Sequence, residues 1–523
     1  MQAVYQFENA ASEREVTVER FGGVDFSTHA TKADLTHSPD ACNMMAGETD
    51  FLVKRPGYKK MAQAEGKVYG LFALPGETGA IVHAGETLFH MSAGGTLTQL
   101  CTGMSPAYSF AFRMNGALYL LDGQTYRKVF KQDGSWTVQA VSEAAFVPTT
   151  TIAAPPTGGG ASLEAVNLLT PKRINTFVGN GSATQFYLDA QDIDEGEVTV
   201  TVDGEAVAVS SVNRSTGVVT LASAPPNANG LANVAVTFCK TVEGSADKIH
   251  KCRFAGLYGG KNDTRVFLSG NPDEPNCDWQ SGLFDPAYFP DTGYTKIGSD
   301  AAAVVGYVRQ YESQLVIKEG GGQEATQYLR TFLLDDDGKA AYPLKQGAQG
   351  AGGLAFRSFA ALGDTPLFLS ADGVMGVFGT AVTEQRSIRR QSGTVDPRLA
   401  EEENLQDACA VVWRDKYFLA VNGRCYVADG RAYRADGSPE WYYWGNFPAT
   451  CFAVLDGRLW FGAADGRVLR LCERDEADAF LDDGAAIDAW WCTPDLPLGG
   501  WGREKLVRAR AYAVYAVGGE GDV

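Results

Sequence analysis

The chain has 523 residues, with 45 Lys and Arg against 63 Asp and Glu for a formal net charge of −18, and it carries 60 glycines and 11% aromatics. That length exceeds one ordinary compact domain, and the charge argues against a nucleic-acid-gripping surface, which needs clustered Lys and Arg. The acidic balance suits plain solubility first, and does not exclude a surface past which DNA slides without adhering.

Residues 1–66 read as an extended arm with the first propeller strands. The start, Met1-Gln-Ala-Val-Tyr-Gln-Phe-Glu-Asn9, has neither a basic n-region nor an apolar h-region, so no signal peptide is expected. Arg55-Pro56-Gly57-Tyr58 forms a turn, Pro being preset for position i+1 and Gly suited to i+2 of type II. Blade-like units fill 67–146, for example Val68-Tyr-Gly-Leu-Phe-Ala, Ala80-Ile-Val-His-Ala and Thr87-Leu-Phe-His-Met. Residues 147–171, rich in Pro, Thr, Gly and Ala, read as a linker. At 172–241, Val198-Thr-Val-Thr-Val, Asp203-Gly204 and Val234-Ala-Val-Thr-Phe alternate with period two around a hairpin turn. That pattern predicts an inserted small β-sandwich.

Blade-like units resume over 242–485. The clearest is Phe452-Ala-Val-Leu, Asp456-Gly457-Arg458, Leu459-Trp-Phe-Gly, Asp465-Gly466, Val468-Leu-Arg-Leu. One blade-length upstream lies Ala410-Val-Val-Trp, Tyr417-Phe-Leu-Ala, Asn422-Gly423, Cys425-Tyr-Val. Asp-Gly and Asn-Gly between β-rich runs mark type I′ hairpins, and repeats of about 40 residues with four short strands mark propeller blades. The count is six to eight, with seven favoured. Helix signals are confined to 395–406 and 473–481. Residues 486–523 hold a short C-terminal β segment that docks on the propeller or a neighbouring chain, or opens a further domain. The predicted fold is all-β: a β-propeller of about seven blades around a hollow axis, with an inserted sandwich.

Local chemistry is sparse. Five histidines (His29, His37, His83, His90, His250) lack metal-ligand spacing. The ten cysteines never form Cys-x-x-Cys, and several sit in apolar strands, which points to reduced thiols in a cytoplasm. Gly158-Gly159-Gly160 and Gly320-Gly321-Gly322 lack the context of a phosphate cradle. Asp335-Asp336-Asp337 and Asp482-Asp483 lack calcium-loop spacing and read as solvated turns. No stretch is long and apolar enough to span a membrane. No catalytic, cofactor or metal residue is assigned, and the chain is not expected to be an enzyme.

Three segments resemble one family. Phe21-Gly-Gly-Val-Asp25-Phe, Asp40-Ala-Cys-Asn43 and Arg55-Pro56-Gly57-Tyr58 resemble the opening of β-propeller tail proteins of tailed bacteriophages, the DNA-stabilisation, tail-nozzle or tail-hub type, although Asp25 stands where Asn is common. Arg265-Val-Phe-Leu-Ser269-Gly-Asn-Pro272 through Trp279, with Asp285-Pro-Ala-Tyr-Phe289-Pro290, resembles their middle signature. Phe177-Val-Gly-Asn-Gly181 onward is similar to sandwich modules of phage virion proteins. The resemblance implies a structural virion protein of the tail or head–tail junction, made in the host bacterial cytoplasm. Its implied partners are other copies in a ring, often a hexamer, portal and adaptor proteins, tail fibre or needle proteins, and genome DNA passing without sequence-specific binding. It makes Arg55, Pro56, Gly57 and Tyr58 a candidate assembly-contact motif. Two rivals stand beside it. One is a receptor-binding propeller using Trp441, Tyr442, Tyr443 and Trp444 on host glycans. The other is a glycosidase-type propeller with a pair of carboxylates at the channel mouth.

Overall fold

The computed structural model describes residues 18, 20–47, 51–74, 76–320, 324–347, 349–379 and 386–496. Seven antiparallel sheets follow one another along the chain. Blade 1 comprises Val68–Ala73, Gly79–Ala84, Thr87–Ser92 and Leu97–Thr102, and blade 2 comprises Phe110–Met114, Ala117–Leu121, Tyr126–Gln132 and Ser135–Ala140. Blade 3 holds Phe254–Tyr258, Arg265–Ser269, Cys277–Gln280 and Tyr294–Lys296, and blade 4 holds Val304–Gln310, Ser313–Lys318, Gln327–Arg330 and Leu344–Gln346. Blade 5 runs through Ala360–Leu362, Thr365–Ser370, Gly373–Phe378 and Ser387–Arg390, and blade 6 through Cys409–Trp413, Lys416–Val421, Arg424–Tyr433 and Pro439–Trp444. Blade 7 uses Cys451–Leu455, Arg458–Gly462 and Arg467–Leu471, and takes its fourth strand, Tyr58–Gln63, from the other end of the chain.

The turns explain the strand lengths. Asn115-Gly116, Asn422-Gly423 and Asp456-Gly457 all have positive φ at both positions, as a two-residue type I′ hairpin requires. Arg414-Asp415 adopts the same left-handed pair without glycine, at a steric cost that the flanking strands hold in place.

Packing runs round the whole ring. Separate apolar clusters join blades 1 and 2, 2 and 3, 3 and 4, 4 and 5, 5 and 6, 6 and 7, and finally 7 and 1. Each blade buries both faces, so its strands read as continuous apolar runs such as Tyr417-Phe-Leu-Ala-Val421. Residues 20–47 wrap the outer strand of blade 6: the amide of Val24 donates to Trp441 O and that of Asn43 to Tyr443 O. This covers an edge that would otherwise offer unpaired backbone groups. Trp490–Trp491 pairs with Ala41–Cys42, and residues 497–523 of the predicted C-terminal segment lie outside the described residues.

The insert is a sandwich of a six-stranded and a three-stranded sheet around Phe177, Phe186, Val219, Val236 and Phe238. The predicted linker, 147–171, needs correcting. Its Thr149–Ala154 is a strand of the sandwich, parallel to Lys172–Phe177. Its Asn167-Leu168-Leu169 is buried against blades 2 and 3, where Asn167 Nδ2 donates to Phe146 O and Ala287 O while Oδ1 accepts from the amides of Leu169 and Phe289. A β-branched run and a buried anchor stand where composition suggested a free tether. Among the described residues, α-helix is confined to Asp247–His250 and Asp396–Leu399, with short 3-10 turns, and 473–480 holds turns where a helix was expected.

Candidate functional site

The tetrapeptide expected at an assembly contact is turned inward. Arg55 is fully buried and forks onto Asp482, Nη1 donating to Oδ1 at 2.8 Å and Nη2 to Oδ2 at 2.6 Å. Its Nε donates to Asn43 Oδ1, and its remaining donors reach Pro56 O and Gly445 O. Gly57 lies so close to the chain that a Cβ would come within 1.9 Å of Leu481 O. Tyr58 is buried, donates its hydroxyl to Asn446 O, and has its phenol pushed up to about 12 by burial first and the Asp482 charge second. Only Pro56 of the four is partly exposed. Arg55, Gly57 and Tyr58 therefore latch the N-terminal strand to blade 7 and to residues 481–482. A buried guanidinium has no reach to another chain.

The aromatic run is likewise internal. Trp441, Tyr442 and Trp444 are each 1% exposed, under the arm, and Tyr443 packs its edge on Phe26 and Tyr426. They are placed to fill blades, leaving no stacking face for a glycan. All ten cysteines are free. Among the described residues no group of three or more His, Cys, Asp or Glu is arranged to hold a metal ion. His83 is buried between Ser109 Oγ and Gly85 O, and burial holds its imidazole down at about 4. His37 bonds Glu440 at 2.8 Å beneath the arm, and His90 stacks on Trp136.

Two features that the sequence did not reveal stand out. The first closes one end of the axis. Arg357, in the segment leading into blade 5, stacks on Tyr108, in the segment leading into blade 2, with its Cζ 3.3 Å from the ring centroid. Those blades stand on opposite sides of a ring of seven. Arg357 also donates Nη1 to Thr450 O ahead of blade 7 and Nη2 to Asp407 O ahead of blade 6. Phe254 of blade 3 completes the group against Phe356 and Tyr307. The expected hollow axis is thus crossed by side chains at this end, which no duplex can thread.

The second is an apolar ledge. In a four-stranded meander the first-to-second and third-to-fourth connections share one end. At that end of blades 3 and 4, Leu283, Phe284, Tyr311, Phe332, Leu333 and Leu334 are exposed, Leu334 to 61% and Leu283 to 58%. They are mutually braced: Phe284 donates its amide to Thr264 O, and Gly260 in the same connection abuts Phe332. Leu333–Leu334 pairs with Ala340–Ala341 as a separate two-stranded ribbon, tipped by Asp335, Asp336 and Asp337.

Fold and site together define a seven-bladed propeller with an inserted sandwich, a latched ring and an apolar ledge. No family model matches the chain, and no curated protein matches it. Among solved structures, the computationally designed protein Ika8 aligns over 79% of this chain and 99% of its own, at 11% identity and a TM-score of 0.32. A streptogramin B lyase aligns over 80% and 97%, at 9% identity and a TM-score of 0.31. The architecture stands on the sheets described above.

Proposed function

We propose that this chain is a structural protein of a bacteriophage tail or head–tail junction, a subunit of a ring around the channel by which DNA leaves. The observation that carries the reading is the exposed ledge of large apolar side chains on an otherwise acidic chain, since contiguous apolar surface of this kind marks contact with another protein. The order of the Phe21–Phe26, Arg55–Tyr58 and Arg265–Pro290 motifs supports it. Because Arg357 and Tyr108 cross the propeller's own axis, the DNA channel would run between copies, with each propeller forming part of the wall. A net charge of −18 suits such a wall, as it keeps phosphates from adhering.

Electron microscopy of purified chain and of the purified particle tests this. Rings with a central opening, and density for this fold on the tail axis, are expected. A chain that stays monomeric and is missing from the particle overturns the reading. Turnover of a polysaccharide panel would move the chain to the enzyme class instead.

A further inference from the structure

We propose that the cluster closing the axis is a binding site for a small phosphate-type oxyanion, held by Lys67 and Arg357 beside Tyr108. Lys67 Nζ lies 4.4 Å and Arg357 Cζ 3.3 Å from the centroid of that one ring. The two positive charges therefore stand within about 8 Å of each other, a separation at which like charges repel at a half-buried site. Among the described residues neither has a carboxylate within ion-pair distance. Of the four arginines buried among the described residues, Arg55, Arg330 and Arg470 each have one, in Asp482, Asp278 and Glu476, while Arg173 reaches only the backbone carbonyl of Lys240. Acidic residues outnumber basic ones 63 to 45 in this chain, so two unmatched cations meeting at its axis are against the composition.

The partners that Arg357 does have orient its charge without neutralising it. Its terminal nitrogens donate to the backbone carbonyls of Thr450 and Asp407, Tyr108 lies under its plane, and its Nε–H is buried with no acceptor. Lys67 makes only ring contacts, with Tyr108 and, at 5.4 Å, Tyr69. Both cations act on the buried thiols of Cys409 and Cys451, opposing the rise that burial imposes on them. A fixed guanidinium and a nearby free ammonium form the donor set that an oxyanion takes through charge-assisted hydrogen bonds. Lys67, Tyr69, Tyr108 and Arg357 are all only partly buried, so solvent reaches them. The crossing of the axis limits the ligand to a small group. This site stands whether or not the chain belongs to a tail.

Calorimetric titration of the full chain with inorganic phosphate at constant ionic strength tests it. Saturable binding at one site per chain is expected, weakened about tenfold or more in Lys67→Met. That variant should still fold, with a melting temperature near the parent's, because the Lys67 ammonium has only ring contacts to lose and its loss relieves the repulsion from Arg357. Arg357→Lys, which keeps the charge and loses the flat stack, should also bind more weakly. Absence of saturable binding, or a Lys67→Met protein that binds phosphate as tightly as the parent, overturns the proposal. Displacement of phosphate by a short DNA duplex overturns it as well, since a duplex reaches only an outer surface.

Discussion

At the scale of single residues, stability concentrates where a charge or a polar ring has been taken out of water. Arg55 and Asp482 are both essentially unexposed and face each other two-pronged. Arg55→Met leaves the carboxylate buried and uncompensated, and a loss of about 3–5 kcal/mol is expected in urea unfolding. The double variant Arg55→Met with Asp482→Leu should lose clearly less, because it removes both charges. Equal losses in the two would show that packing, not charge, holds the latch. His83 makes a pH-dependent contribution. Its Nε2–H donates to Gly85 O and its Nδ1 accepts from Ser109, so the ring is neutral when folded, with a pKa of about 4 against 6.5 in the unfolded chain. Above pH 6.5 neither state binds the proton, and the native state keeps its full stability there. Between pH 6.5 and 4 only the unfolded chain takes it up, so stability falls by about 3 kcal/mol across that window. His83→Gln should flatten that part of the stability–pH curve, and an unchanged slope would assign the effect to other groups.

At the scale of elements, local turn chemistry was legible and long-range partnership was not. Asn422-Gly423 and Asp456-Gly457 announce their hairpins because two left-handed residues in a row need those side chains. The apolar runs beside them place blades 6 and 7 without further information. Tyr58–Gln63 carries no comparable signal: it has three polar residues, and its partner Arg467–Leu471 lies some 400 positions away. Arg357 was invisible for the same reason, since its three partners Tyr108, Thr450 and Asp407 come from segments leading into other blades. The linker reading failed differently. Pro155-Pro156 and Gly158-Gly159-Gly160 dominated the composition and hid the β-branched run Thr149-Thr-Thr-Ile152, whose parallel partner begins at Lys172. Asn167 is central to the segment that ties this insert to the ring, donating two bonds and accepting two, beside the bonds of Ala165, Val166 and Leu168 to 288–291. Asn167→Ala leaves Phe146 O and the amides of Leu169 and Phe289 without their partner, Ala287 O keeping the amide of Phe146, at a cost of about 2–4 kcal/mol. Limited proteolysis should then cut the chain at 160–170, giving an N-terminal fragment with blades 1 and 2 and a C-terminal fragment with blades 3 to 7. A variant as resistant as the parent would place the anchor elsewhere.

At the scale of the whole molecule, early and late segments of the chain interlock, and an apolar ledge on blades 3 and 4 is exposed. The Tyr58–Gln63 strand and the arm over blade 6 seal the edges that a row of sheets would otherwise leave open. A ring sealed in this way has little reason to keep Phe332, Leu333 and Leu334 in water, and the ribbon they start is a two-stranded sheet separate from blade 4. Burying such side chains against a second copy stabilises an assembly by about 25 cal/mol per Å² of apolar surface, before the cost of association is subtracted. Leu333→Asp with Leu334→Asp places two further charges beside Asp335, Asp336 and Asp337, where like charges brought together in an interface repel. Since both side chains are exposed, the fold itself should be untouched, with a melting temperature and circular dichroism like those of the parent. In mass photometry the parent should populate rings and the double variant single chains. If both distribute alike, the ledge is not the contact, and the assembly reading loses the surface on which it rests.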